Sequence, residues 1–323
     1  MILPSPLLLA IGLVLLAGSS GVVISNLVAI SEKRRLRKSI LSFLLVAFST
    51  SLPELFVAIN AIIVGDMPVS LGDILGSNIT NVALIVGVCF VITALKHSGN
   101  MEIGIGESDI KQFTNGLILL SGTFVVLLYL QYMSRFIGIL LLCVFFIYSS
   151  KLFRRRKMSE DEGNVVSDGR IRKELALIAV GIAGVIIGSR FAVESAIDVA
   201  TYLGVPASVI GATLVAFGTS LPELVVDVRA AHGGHLEISL GDIVGSCFLN
   251  STLILGLLLT FTPFTINIAV LSDLLLFSVV SNLVLWYFLD NRKSGFREGA
   301  ILLSLYTVNL LSILGILVLR PPP

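Results

Sequence analysis

One acidic, proline-broken phrase occurs twice in this chain, each time inside an apolar run. Leu45 to Leu55 reads LVAFSTSLPEL and Leu214 to Leu224 reads LVAFGTSLPEL; ten of eleven residues agree at an offset of 169. A second phrase follows each at the same offset, SLGDILGS from Ser70 to Ser77 and SLGDIVGS from Ser239 to Ser246. A chain that places the same carboxylates twice in apolar helices is constrained to bring its two halves together, because a carboxylate inside a membrane is costly and marks a functional site.

The surroundings are those of a bilayer protein. Of 323 residues, 55% are hydrophobic and 13% charged, too few polar groups to make a water-facing surface. Apolar runs of about 20 residues cross the hydrocarbon core as helices. Ten are read here, roughly 6–30, 38–64, 69–95, 113–132, 136–153, 174–202, 206–230, 237–262, 266–289 and 298–319. No segment alternates with period two, which argues against a β-barrel. The sequence thus predicts an all-α polytopic membrane protein. Residues 1–153 form a first five-helix repeat, 154–173 a cytoplasmic linker and 174–323 a second five-helix repeat. The first apolar run has no preceding basic residue and reads as a retained helix. Net charge is +1, and no nucleic-acid partner is expected. The partners are inorganic cations and the lipid bilayer, with the monomer as the working unit and no cofactor.

Nineteen of the 22 Lys and Arg fall on one side of this arrangement, including Lys33 to Lys38 and Lys151 to Lys173. Positive residues stay cytoplasmic, so the N- and C-termini are placed outside the cell membrane. Five helices per half force the two repeats into opposite orientations. Inverted repeats with broken helices meeting at the midplane are a transporter signature.

Pro53 lacks an N–H and its ring crowds the carbonyl four residues back, so the backbone at Ser49 and Thr50 loses helical bonding. In lipid those carbonyls need another partner, and a cation is one. Ala47, Thr50, Ser51 and Glu54 share a face by their spacing; Ala216, Thr219, Ser220 and Glu223 repeat it around Pro222. The second phrases add stripes of period four, Asp73–Ser77–Asn81 and Asp242–Ser246–Asn250. All these donors are oxygens. His97, His232 and His235 are placed in loops and Cys89, Cys143 and Cys247 in apolar helices, so soft metals are disfavoured and Ca²⁺ or Na⁺ suits the set. No Lys or Arg shares these helices near Glu54 and Glu223, so the counter-charge is the transported ion itself. One Ca²⁺, two or more Na⁺ or two protons would neutralise the pair, and a site that alternates only when neutralised exchanges ions without leaking them. Serine and asparagine oxygens favour Na⁺ as counter-ion. The long first and sixth helices lack the motifs and are candidates for the moving gate. Asp73, Asp227 and Asp242 read as acidic mouth residues that concentrate cations, or, for Asp73 and Asp242, as helix N-caps. Arg190 and Glu194, four apart, are expected to pair.

The phrases STSLPEL (Ser49 to Leu55) and GTSLPEL (Gly218 to Leu224), each followed by G-x-x-x-G-S (Gly72 to Ser77, Gly241 to Ser246), resemble the two alpha-repeat motifs of the calcium/cation antiporter superfamily, most closely its prokaryotic sodium/calcium exchanger branch. The resemblance covers the whole chain. It implies that Glu54 and Glu223 coordinate Ca²⁺ with backbone oxygens near Thr50 and Thr219. It also implies Na⁺ sites at Ala47, Ser51, Ser77, Ala216, Ser220 and Ser246. Three positions depart from the family pattern. Asp73 and Asp242 stand where Asn is usual, Asn250 stands where sodium exchangers often carry Asp, and Ser49 replaces Gly. The alternative in the same superfamily is a Ca²⁺/H⁺ antiporter. More remote alternatives are a cation channel and an intramembrane aspartyl protease, the last for its recurring Leu-Gly-Asp.

Overall fold

A computed structural model describes residues 4–33, 46–96, 107–130, 132–157, 172–205, 207–262, 264–265 and 268–313. Most of the expected linker, the C-terminus and His97 lie outside these residues. Within them the chain is helical almost throughout, as an apolar backbone must be where only internal hydrogen bonds are on offer.

Helix α1 spans Pro4–Lys33, and α2 comes in two pieces, Ala47–Thr50 and Leu52–Val64. Helix α3 (Met67–Lys96) is α-helical over Met67–Ile79, π-helical over Thr80–Ile85 and α-helical again over Val86–Lys96. Then come α4 (Glu107–Leu130), α5 (Arg135–Lys157) and α6 (Arg172–Leu203). Helix α7 begins at Ala207–Ile210, passes through a π segment at Gly211–Val215, is α-helical again over Ala216–Thr219, breaks, and resumes as Leu221–His232. Helix α8 (Leu236–Phe261) carries a π segment at Asn250–Ile254, followed by α9 (Ile268–Asp290) and α10 (Phe296–Ile313). His232, expected in a loop, is the last residue of α7. One short antiparallel pairing, Tyr132 with Thr265 and Met133 with Phe264, ties the α4–α5 connection to the α8–α9 connection.

Polarity is distributed inside out. Ile63, Tyr129 and Phe136 are 75%, 86% and 74% exposed, whereas Glu54, Asp73, Glu223, Asp227 and Asp242 are fully buried. By length and composition alone, α3, α6, α8 and the Ser272–Asp290 part of α9 can each cross a membrane, and α7 joins them if its two arms, bent by 52°, count as one span. The chain is a multi-pass membrane protein.

Helices from the two ends of the chain interlock through glycines. A Cβ on Gly76 of α3 would stand 2.5 Å from the Ala212 carbonyl oxygen of α7. One on Gly299 of α10 would lie 2.7 Å from the Gly87 carbonyl of α3, and one on Gly138 of α5 2.8 Å from the Gly256 carbonyl of α8. Gly87 and Gly256 are themselves 169 apart, so α3 meets α10 as α8 meets α5. Without a hydrophobic drive between helices in lipid, such close backbone approach supplies the packing energy. Helices α1 and α6 form their own pair, where a Cβ on Gly188 would come 3.0 Å from the Gly12 carbonyl. On α6, the expected Arg190–Glu194 ion pair forms at 2.9 Å.

Candidate cation site

The two helix breaks are near-copies. Ser51 has φ −80° and ψ 7° and Ser220 φ −82° and ψ 5°. Before each break the ladder closes from Ser51 N–H to the Ala47 carbonyl at 3.0 Å and from Ser220 N–H to that of Ala216 at 3.1 Å. After each, it restarts with Leu55 and Leu224 donating to the Ser51 and Ser220 carbonyls, both at 3.1 Å. Pro53 and Pro222 sit in the first turn of the restarted helix, where a missing N–H costs nothing. Glu54 and Glu223 fall in that same turn, near the positive end of a helix dipole. The carbonyl end of the preceding short helix faces the same break. A broken helix therefore presents a cation-attracting carbonyl end and an anion-tolerating amide end together.

Each break is clasped by the opposite half of the chain. Thr219 of α7 donates from Oγ1 to Asp73 Oδ1 of α3 at 2.9 Å, with Ser77 Oγ 3.3 Å away. Thr50 of α2 donates to Asp242 Oδ1 of α8 at 3.2 Å, with Ser246 Oγ at 3.1 Å. Thr50 and Thr219, Asp73 and Asp242, Ser77 and Ser246 are three pairs at the offset of 169, so one contact is made twice. The π segments of α3 and α8 contain the last residue of each stripe, Asn81 and Asn250, as π-bulges often do at functional sites.

Around the clasps lie polar atoms with no hydrogen-bond partner among the described residues. They are both carboxylate oxygens of Glu54 and of Glu223, the hydroxyls of Ser51 and Ser220, both amide atoms of Asn81, Asn250 Oδ1, and Oδ2 of Asp73 and of Asp242. All are buried. Buried polar atoms are normally paired, and so dense a set of free oxygens is what a hard cation takes as ligands. Ala47 and Ala216 are buried beside them, and their carbonyls already accept from the backbone and, at 3.2 Å, from Thr50 and Thr219. When the threonine proton goes to the facing carboxylate instead, one lone pair of each carbonyl is left for an ion.

The carboxylates form a row. Glu54 lies in the field of Asp73, Glu223 in those of Glu54 and Asp242, and Asp227 in those of Asp242 and Glu223. Among the described residues no group of three His, Cys, Asp or Glu is arranged to hold a metal ion by itself.

The chain matches the family described as sodium/calcium exchanger protein over residues 4–153 and 173–315. The chain belongs to that family. The exchanger is 32% identical to the sodium/calcium exchanger MaX1 of Methanosarcina acetivorans, over 93% of this chain and 95% of that one. It is 27% identical to the inner membrane protein YrbG of Escherichia coli, over 86% and 88% respectively. Its fold superposes on the sodium-calcium exchanger NCX_Mj with TM-score 0.71 and 25% identity, covering 97% of this chain and 99% of that one. These findings place it in the prokaryotic branch of the calcium/cation antiporter superfamily, a group of transporters and not of enzymes. It is a cation/Ca²⁺ antiporter.

Two expectations change. Asp73, Asp227 and Asp242 do not line an open mouth; all three are fully buried. Nor are Asp73 and Asp242 N-caps, since the N-cap positions of α3 and α8 are Asp66 and His235. Both sit mid-helix, because their stripe must face the opposite Thr. Asn78, beside Ser77 but off the Asp73–Ser77–Asn81 stripe, is a site residue that the sequence did not single out. It bridges α3 and α8, donating to Ser251 Oγ at 2.9 Å and accepting from Asn250 Nδ2 at 3.4 Å. That second bond occupies the amide nitrogen of Asn250 and leaves its oxygen free. Duplication could not reveal Asn78, because its counterpart at the offset of 169 is Cys247.

Proposed function

We propose that the exchanger moves Ca²⁺ against Na⁺ by alternating access, with Glu54 and Glu223 as the central ligand pair. The observation that carries this reading is the pair's full burial with no hydrogen-bond partner for its carboxylate oxygens among the described residues, beside hydroxyls of both halves, Ser77 and Thr219 at Glu54 and Thr50 at Glu223. Two ionised carboxylates in a dry interior cost several kcal/mol each unless compensated. A bound ion supplies the compensation, and a site that changes access only when compensated exchanges ions strictly. Thr50 and Thr219 act at the breaks, Ala47 and Ala216 through their carbonyls. Ser51, Ser77, Asn81, Ser220, Ser246 and Asn250 provide oxygens that never titrate, which is what Na⁺ asks of a site. The MaX1 and NCX_Mj relatives are both named for sodium/calcium exchange, which supports the same counter-ion.

The proposal includes ten spans in two inverted five-helix repeats, both termini outside the cell membrane, the single chain as the working unit, and the α1–α6 pair as the moving element. The test is uptake of radiolabelled Ca²⁺ into Na⁺-loaded proteoliposomes at equal pH on both sides. Uptake is expected there, and its absence in Glu54→Gln and Glu223→Gln. Uptake that requires a proton gradient and no Na⁺ would overturn the Na⁺ assignment.

One observation favours that second reading, Ca²⁺/H⁺ antiport. Asp73 and Asp242 are buried next to the glutamates' helix breaks, each bonded to the threonine of the opposite half. The row offers more acidic groups than two, and the proteoliposome experiment decides between the counter-ions.

A further inference from the structure

The row of carboxylates is symmetric about Glu54 and Glu223 except at one end. Asp227 lies one turn beyond Glu223 on α7, and its counterpart at the offset of 169 is Ala58, buried on α2. Ser239 and Asp242 of α8 face Asp227, while their counterparts Ser70 and Asp73 have no third acid to face. The α7–α8 hairpin sets the register. Its turn runs from His232 to His235 with Gly234 at φ 82°, and Ser239 Oγ donates back across it to the Asp227 carbonyl oxygen at 3.3 Å. Cys89 Sγ touches the same hydroxyl at 3.3 Å.

The side chains at this end are left open. Both oxygens of Asp227 and Oδ2 of Asp242 are buried without a hydrogen-bond partner among the described residues. Asp242 Oδ1 is held by Thr50, which turns its other oxygen away from the clasp. The two carboxyl groups face each other across α7 and α8, close enough to share a proton when one is protonated. No Lys or Arg among the described residues pairs with either, and the nearest base in sequence, Arg229, is exposed. Buried acids facing each other without a base repel. A hard cation between them relieves that repulsion and uses the three free oxygens and the Ser239 hydroxyl as ligands.

We propose that Asp227 and Asp242 form a second cation subsite beside the Glu54–Glu223 pair, built in one half of the chain only. It deepens the antiport reading and rests on it for the identity of the candidate ions, Na⁺ and Ca²⁺. The exchanger would then hold ions in adjacent places along one row, with the extra place at the α7–α8 end. This asymmetry makes the two directions of ion entry chemically unequal.

The test is equilibrium binding of radiolabelled Na⁺ and, separately, radiolabelled Ca²⁺ to the purified full-length protein in detergent at fixed pH. Wild type, Asp227→Ala and Glu223→Gln are compared. Alanine at 227 copies what the first half carries at 58, and Asp227→Asn repeats the measurement at nearly unchanged volume should the alanine variant fold poorly. Loss of one bound ion per protein in either 227 variant, with the Glu223-dependent ion retained, is the expected result. The arm in which the count falls, Na⁺ or Ca²⁺, names the occupant. Wild-type counts for both ions in both 227 variants would overturn the subsite, as would a 227 variant that changes only proton uptake. A fall with Asp227→Ala but none with Glu223→Gln would uphold the subsite and sink the Glu-pair reading.

Discussion

The two threonine clasps are copies in sequence but not in strength. Thr219 has one proton and three oxygen neighbours, Asp73 Oδ1 at 2.9 Å, the Ala216 carbonyl at 3.2 Å and Ser77 Oγ at 3.3 Å, so the carboxylate, clearly the nearest, takes it. Thr50 has four neighbours at nearly equal range, the Val46 and Ala47 carbonyls, Asp242 Oδ1 and Ser246 Oγ, all between 3.1 and 3.2 Å. Its proton is contested and its bond to the carboxylate weaker. Replacing Thr with Val keeps the shape and removes the hydroxyl. A hydrogen bond to a charged group contributes about 1.5–3 kcal/mol and an ordinary one about 0.5–1.5 kcal/mol. Thr219→Val is therefore expected to cost about 1.5–3 kcal/mol and Thr50→Val about 0.5–1.5 kcal/mol. At roughly 2–4 °C per kcal/mol for a large domain, the unfolding midpoint falls by about 3–12 °C for the first and about 1–6 °C for the second. The assay is thermal unfolding in detergent with cations chelated, followed by the fluorescence of Trp286, the single tryptophan. A double-mutant cycle of Thr219→Val with Asp73→Ala isolates the pair and should show coupling of at least about 1 kcal/mol. A Thr50→Val midpoint as low as that of Thr219→Val, or an additive cycle, would refute the assignment of the proton.

Three further outcomes follow from other parts of the structure. Glu54→Gln and Glu223→Gln each remove one charge a divalent ion needs, and Na⁺-dependent Ca²⁺ uptake should fall at least about tenfold in either, the loss of a charge-assisted contact; near-normal uptake would show that the glutamate is not a ligand. Gly76→Ala pushes a methyl to 2.5 Å from the Ala212 carbonyl, and overpacking of about 1–3 kcal/mol should lower the unfolding midpoint, while Gly18→Ala, with open space around it, should not. Asp66, in the turn between α2 and α3, is half-buried, and desolvation raises its carboxyl above the ordinary value, against a bond to Val69 that lowers it. The folded protein thus holds this proton more tightly than the unfolded chain does. Its contribution to stability is lost as pH rises from the ordinary carboxylate value through the raised one, and Asp66→Asn should flatten stability over that window.

The parts legible in the sequence are those carried by local covalent rules and by duplication. Pro53 and Pro222 cannot donate to the helix ladder wherever they are placed, so the breaks at Ser51 and Ser220 were readable from composition and spacing. Glu54, Asp73 and their copies stood out because a carboxylate in an apolar run is rare, and one repeated at a constant offset rarer still. What each faces was decided by tertiary packing. A helix face is defined by periodicity, but its partner is defined by which glycines let two backbones approach, here Gly76 against Ala212. That packing turned Asp73 and Asp242 from expected mouth or cap residues into acceptors for threonines of the opposite half. It also gave Asn78, a residue with no copy, its place between Ser251 and Asn250, and it set Asp227 opposite Asp242 where the first half has only Ala58. Spacing along a chain ranks residues by the face they share. Contacts between residues 142 to 196 positions apart, such as Ser77 with Thr219 and Thr50 with Ser246, exist only once helices from the two ends of the chain close on each other in lipid.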